Sequence, residues 1–162
     1  MIDGVMVKQL KVVPDERGRL MECLRNDDEL FIQFGQFYMT TTFPGVVKGW
    51  HLHDEQWDNI VCVKGMIKLV LFDGRGAAGD AAAPGQESSS TAGQVDEFFL
   101  GEHRPLLIRV PPGLWHGWKC VSTEEAFIVN APTEVYKYAD PDQRELPHDS
   151  DAIPYQWGVK LR

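Results

Sequence analysis

Apolar and polar positions alternate in short runs along most of this chain. Residues 5–13, VMVKQLKVV, alternate well enough for one strand, and PDERG follows as a turn in which Pro14 fixes φ and Gly18 tolerates a positive one. RLMECLR can pair back as a second strand. QFYMTTTF is aromatic and β-branched and reads as a strand, FPGVVKG turns into another, and NIVCVKGMIKLVLFD reads as two strands meeting at Gly65. Further strands fall on DEFFL, LLIRV, WKCVS and EAFIVNAP, with turns at GEHRP and PPG. One stretch departs from the two-residue period: NDDELFIQFG, with Asp27 or Asp28 near its start and Gly35 after its end, predicts a short helix. Residues 74–93 are small, polar and aperiodic, which predicts a mobile surface loop, and Arg75 at its start reads as a surface charge. The tail from Thr133 is rich in Pro, Asp and Tyr; it is expected to wrap the domain, with Tyr155 and Trp157 as anchors. Short strands at regular intervals argue for an all-β sandwich or barrel, with residues 1–162 forming a single domain.

Composition narrows the chemistry more than the fold. At 162 residues and 43% hydrophobic, the chain can build a core, and its net charge of −8 argues against a nucleic-acid backbone as partner. A phosphate-bearing small molecule is not excluded, because a few local cations suffice. The N-terminus shows no secretion signal, and no apolar run approaches the roughly 20 residues of a membrane span. Cys23, Cys62 and Cys120 are scattered without CxxC spacing, which suits reduced thiols and a cytoplasmic location.

The densest chemistry lies in GVVKGWHLHDEQWDNIVCVKG, residues 45–65. Side chains alternate faces along a strand, so His51 and His53 point the same way, with Asp58 five residues on. Two adjacent imidazoles are costly to bury unless something binds them. A further histidine, His116, follows PPGLW. Trp50, Trp57, Trp115 and Trp118 surround these candidates and read mostly as core or pocket wall, with one or two available to stack on a sugar or base. Arg109 alternates with apolar residues and faces either the barrel interior, where it meets phosphate, or the outside.

Two resemblances follow from these motifs. Gly45, His51, His53, Asp58 and Gly65 carry the spacing of the first cupin motif, with Asp where Glu is usual, and Pro111 to His116 fits the P-x-G-x-x-H of the second. The chain thus resembles the cupins, which implies a double-stranded β-helix of the jelly-roll type. It also implies that His51, His53, Asp58 and His116 can converge on one divalent metal ion; Fe, Mn, Ni and Zn all suit such a set. More extensively, DERG, the Q-x-x-x-T strand, PGVVKGWH and PPGLWHGW occur in the order found in the dTDP-4-dehydrorhamnose 3,5-epimerase family, whose members are also cupins.

That second resemblance implies epimerisation, at C3 or at C3 and C5, of a nucleotide-linked 4-keto-6-deoxy sugar by a homodimer. It places the base at His51, the nucleotide diphosphate against Arg17 and Lys48, nucleotide or sugar contacts at Glu22 and Gln36, and a pocket imidazole at His116. The sequence also departs from that family: His53 stands for its Gln, Asp58 for its pocket Lys, and Asn130 for its acid Tyr, leaving Tyr136 or Tyr138 as nearby substitutes. The Asp that supports the family's catalytic His falls in a C-terminal segment not expected in this chain. His51 then has two competing expected roles, metal ligand and free base. Alternative readings are a metal-dependent cupin enzyme, such as an isomerase or dioxygenase, and a sugar-nucleotide binding module without catalysis.

Overall fold

The structure is a computed structural model that describes residues 1–159. Its strands, in chain order, are β1 (Met6–Gln9), β2 (Val12–Asp15), β3 (Gly18–Met21), β4 (Tyr38–Thr42), β5 (Val47–Leu52) and β6 (Asp58–Lys64). Then come β7 (Met66–Asp73), β8 (Val95–Gly101), β9 (Leu106–Val110), β10 (Leu114–Cys120), β11 (Ala126–Asn130) and β12 (Arg144–Glu145). Two five-stranded antiparallel sheets face each other, in the orders β1-β9-β6-β11-β4 and β12-β5-β10-β7-β8. This is the cupin jelly roll that the motifs implied.

Both faces of the central strands are covered, which is why their sequences read as near-continuous apolar runs. In β7, Leu69 and Leu71 point between the sheets and pack with Ile60, Ile108, Leu114 and Ile128. Val70 and Phe72 point outward, where Trp50, Trp115, Ile153 and Trp157 cover them. The first sheet has its own outer cluster of Leu10, Leu30, Val61 and Leu107. The tail lies across the second sheet. Trp157 stacks on Trp50 at a centroid distance of 4.9 Å, Lys119 Nζ donates to the Trp157 carbonyl at 3.0 Å, and the Tyr155 hydroxyl donates to Glu97.

Three elements differ from the sequence reading. Residues 5–13 are two strands, and β2 pairs only with β3, forming a two-stranded ribbon apart from both sheets. Residues 26–35 hold no helix. Asp28 accepts from the Arg25 backbone N–H at 2.8 Å and from Lys8 Nζ at 2.5 Å, so it closes a single turn and ties it to β1. Leu30 then drops into the outer cluster, and Gly35 N–H bonds the Pro132 carbonyl at 3.0 Å. The apolar residues there serve a segment lying across a sheet rather than a helical stripe.

The third difference lies at the start of the segment after β7, where Arg75 is not a surface charge. Arg75 is nearly buried and its guanidinium grips Asp73 at 2.9 Å, the Asp3 carbonyl at 2.8 Å and Ser89 Oγ at 3.3 Å. Ala81 and Ala83 pack into the outer cluster beside one 3-10 turn, Gly79–Ala81. Burial resists ionisation of Asp73, but bonds from Arg75, Thr91 and Ser89 outweigh it and hold the carboxyl below its usual range. A depressed carboxyl stabilises the fold above the unfolded-state value and loses that contribution as pH falls through the folded one. Asp73→Asn leaves Arg75 without its counter-charge and is expected to cost roughly 2–4 kcal/mol, read from urea unfolding at neutral pH.

Candidate active site

The two sheets enclose a cavity of about 240 Å³ at one end, lined from the first sheet by Tyr38, Thr40, Ile60, Ile128 and Asn130, and from the second by Lys48, His51, His116 and Trp118, with His53 and Gln143 beside them. A larger depression of about 860 Å³ runs along the tail, but it lies on the far side of the second sheet from His51, His53 and His116.

Lys48 and His51 share this cavity because β5 is bulged. His51 pairs with His116 and Lys48 with Trp118, so three steps along β5 match two along β10. Without the bulge, residues three apart would face opposite sides of the sheet. Two glycines make it possible. Gly49 has φ of +140°, and a Cβ there would lie 2.7 Å from the Gly117 Cα.

Three buried groups converge behind the cavity. Asp58 begins β6 and is 2% exposed; its Oδ2 lies 3.6 Å from His53 Nε2 and 3.4 Å from His116 Nε2. The other carboxylate oxygen, Oδ1, already accepts from Gln56 Nε2 at 2.9 Å and from Asn130 Nδ2 at 2.7 Å. Each histidine uses its remaining nitrogen against a carbonyl: His53 Nδ1 with Asp142, and His116 Nδ1 with Leu114 at 3.2 Å. A carbonyl only accepts, so Nδ1 carries the hydrogen in both rings, and in the neutral ring Nε2 offers a lone pair. Two lone pairs and a carboxylate oxygen within 4.8 Å of one another form a donor set that fits a divalent cation, with outer carbonyls fixing the tautomers.

His51 stands apart from that trio. Its Nδ1 makes no hydrogen bond among the described residues and lies 3.6 Å from Glu145 Oε1, on the strand residue directly opposite in the β5–β12 pair. Burial lowers its pKa, and the Glu145 charge pulls the other way without winning. Burial also pushes His116 down, to about 4, against the pull of Asp58. Both rings are therefore neutral at pH 7.

Of the residues singled out in the sequence, His51, His53, Asp58, His116, Lys48 and Asn130 are brought together. Within one chain, Arg17, Glu22, Gln36 and Tyr136 are not. Arg17 sits between the ribbon strands, exposed and folded onto Asp15 at 2.6 Å; Glu22 pairs with Arg25 at 3.2 Å. Gln36 precedes β4 off the cavity wall, and Tyr136 packs edge-on against Tyr138 at 5.1 Å. Arg109 turns outward, over Trp57 at 4.8 Å and onto the Leu30 carbonyl at 3.1 Å. Only Trp118 of the tryptophans lines the cavity.

Sequence reasoning missed three contributors. In the sequence Tyr38 is legible only as part of a strand. Glu145 supplies the carboxylate thought to be missing beside His51. Asp142 holds His53 through its carbonyl and caps the backbone N–H groups of Asp54, Glu55 and Gln56 at 2.7, 3.0 and 2.8 Å. The cluster DPDQRE in the tail was the available signal for the last two.

Comparison with known proteins agrees with this fold. A family model described as dTDP-4-dehydrorhamnose 3,5-epimerase matches residues 1–162. The chain is 41% identical over 162 residues to the probable low-salt glycan biosynthesis epimerase Agl13 of Haloferax volcanii, covering 99% of this chain and 97% of that one. It is 33% identical over 162 residues to the spore coat polysaccharide biosynthesis protein SpsL of Bacillus subtilis, covering 100% of both. Among solved structures, a dTDP sugar isomerase from Desulfovibrio desulfuricans superposes with a TM-score of 0.87 at 28% identity, over 99% of this chain and 95% of that one.

Proposed function

The chain belongs to the dTDP-4-dehydrorhamnose 3,5-epimerase family, and from that premise we propose that it epimerises a nucleotide-linked 4-keto-6-deoxy sugar next to its ketone. The observation that carries this reading is the half-buried His51, facing a sugar-sized cavity with a carboxylate at its back. The ketone acidifies the neighbouring C–H. His51 takes that proton through the nitrogen turned away from Glu145, and the carboxylate steadies the imidazolium that forms. Lys48, whose Nζ donates to Thr40 Oγ1 at 2.8 Å, is the one Lys or Arg among the described residues that line the cavity. It meets a phosphate oxygen as a point charge rather than as a fork.

The test is proton NMR in deuterated water with a dTDP-linked 4-keto-6-deoxy sugar. Deuterium is expected at C3, or at C3 and C5, together with an inverted product. No exchange at either carbon sinks the reading.

A bound cation is compatible with this role, because the trio that fits one leaves His51 free. His53, Asp58 and His116 would hold Fe, Mn, Ni or Zn, and the ion would supply Lewis-acid polarisation of the keto oxygen. On this reading His51 acts as the base and is not one of the ligands. His53→Gln is expected to strip metal from the purified protein to background in elemental analysis. Full activity in a metal-free His53→Gln variant would defeat metal participation.

A homodimer is part of the same reading. The β2–β3 ribbon joins neither sheet, β4 is an edge strand, and Leu20, Phe34, Phe37 and Met39 are each more than half exposed. Arg17 and Glu22 stand off their own cavity, so any hold they have on a nucleotide requires the ribbon of a second copy. Sedimentation is expected to give twice the chain mass of 18.3 kDa.

A further inference from the structure

Inverting a carbon needs a proton donor on the face opposite the base. A base that returns its own proton only restores the starting configuration. We propose that Tyr38 is that donor, its phenol standing on the first sheet's side of the cavity while His51 stands on the second. The assignment rests on the epimerase reading and adds a residue to it.

The hydrogen-bond directions carry the argument. Asn130 Oδ1 accepts from the Asn59 backbone N–H at 2.9 Å, and Asn130 Nδ2 donates to Asp58 Oδ1 at 2.7 Å. An N–H cannot accept and an ionised carboxylate cannot donate, so these two partners decide which end of the amide is which. The second hydrogen on Nδ2 goes to the Tyr38 hydroxyl oxygen at 3.0 Å. In that bond the phenol accepts, and its own O–H is left over. Among the described residues it donates to nothing, and the residue lines the cavity. Asn130 therefore does two things: it aims the phenol, and it leaves the phenol's proton available to a ligand.

Nothing else on that side of the cavity competes. Ile60 and Ile128 are apolar, Asn130 is an amide, and Thr40, which accepts from Lys48, is an aliphatic alcohol and a far weaker acid than a phenol. Tyr136 packs on Tyr138 rather than along the cavity. Burial, helped by the Asp58 charge, raises the Tyr38 pKa, so the phenol stays protonated until it is used.

The step balances. His51 removes the proton, and the C–H electron pair becomes the carbon–carbon double bond of the enolate as charge moves to the keto oxygen. The double bond then takes the Tyr38 proton on the other face, and the C=O re-forms. Phenolate and imidazolium are left, and one proton passed between them through water resets both.

Tyr38→Phe in deuterated water, with the dTDP-linked 4-keto sugar, separates donor from binder. The variant is expected to keep placing deuterium next to the ketone, with retention, because imidazolium exchanges with solvent before returning its proton. Inverted product is expected to fall about 100-fold or more. The Tyr38→Asn/Asn130→Tyr double variant moves the phenol to the residue directly opposite in the β4–β11 pair and is expected to restore inversion. Inversion at the parent rate in Tyr38→Phe overturns the assignment. So does joint loss of exchange and inversion in a variant that melts like the parent, since a donor acts after the proton is removed. An unaltered protein that exchanges nothing removes the epimerase reading, and the role of Tyr38 with it.

Discussion

Replacing His51 by Asn is expected to stop exchange and inversion together, with turnover down by roughly 10³–10⁴. That pattern differs from the one expected of Tyr38→Phe, which uncouples the two. Asn fits the space and can hydrogen-bond, but it has no lone pair basic enough to take a carbon-bound proton. Affinity for the substrate is expected to change little, because the ring lies where the proton leaves rather than where the phosphate sits. The pH profile follows from the same site. Only the neutral ring is a base, so kcat/KM falls as pH drops through the His51 pKa. Burial lowers that pKa, which places the acid limb below the 6.5 of a free imidazole. Glu145→Gln removes the opposing pull and is expected to move the limb further to acid. The move is small, because the Glu145 side chain is 65% exposed and its charge is screened.

The fold was legible because short apolar runs with turn residues between them admit few architectures, and the spacing of Gly45, His51, His53, Asp58 and Gly65 set the fold within that class. The site was legible where one strand or one motif carried it. His51 and His53 follow from the two-residue period; Asp58 and His116 follow from motif spacing.

What the sequence hid has a physical reason in each case. Glu145 and Asp142 reach the site because β12 adds to the sheet edge beside β5, a pairing between residues about 90 positions apart that no local pattern records. Tyr38 was read as an ordinary strand aromatic because its importance lies in which hydrogen of Asn130 it receives. Arg75 was read as a surface charge because its shelter comes from the segment that follows it, whose composition suggests none.

The bulge in β5 is the clearest instance, and it yields the second large effect. Strict alternation would put Lys48 on the side of the sheet opposite His51, facing the tail. The structure turns both inward by inserting one residue, and Gly49 and Gly117 allow the two backbones to touch at that point. Gly49→Ala brings two penalties. A Cβ would lie 2.7 Å from the Gly117 Cα and 3.2 Å from the His116 carbonyl oxygen, both backbone atoms in a central strand that cannot give. The φ of +140° is also one that side chains rarely adopt. Overpacking and strain together are expected to cost roughly 2–5 kcal/mol in urea unfolding. Activity is expected to fall about 100-fold even in the folded fraction, because a shift of this bulge displaces base and cation together. Gly117→Ala separates the two penalties. Its φ lies outside the positive region, yet its Cβ would meet the Lys48 carbonyl oxygen at 2.8 Å, so it carries the steric part alone and is expected to cost less. Should Gly49→Ala keep the parent's stability and turnover, the bulge tolerates a side chain, and the shared inward placement of Lys48 and His51 has some other origin.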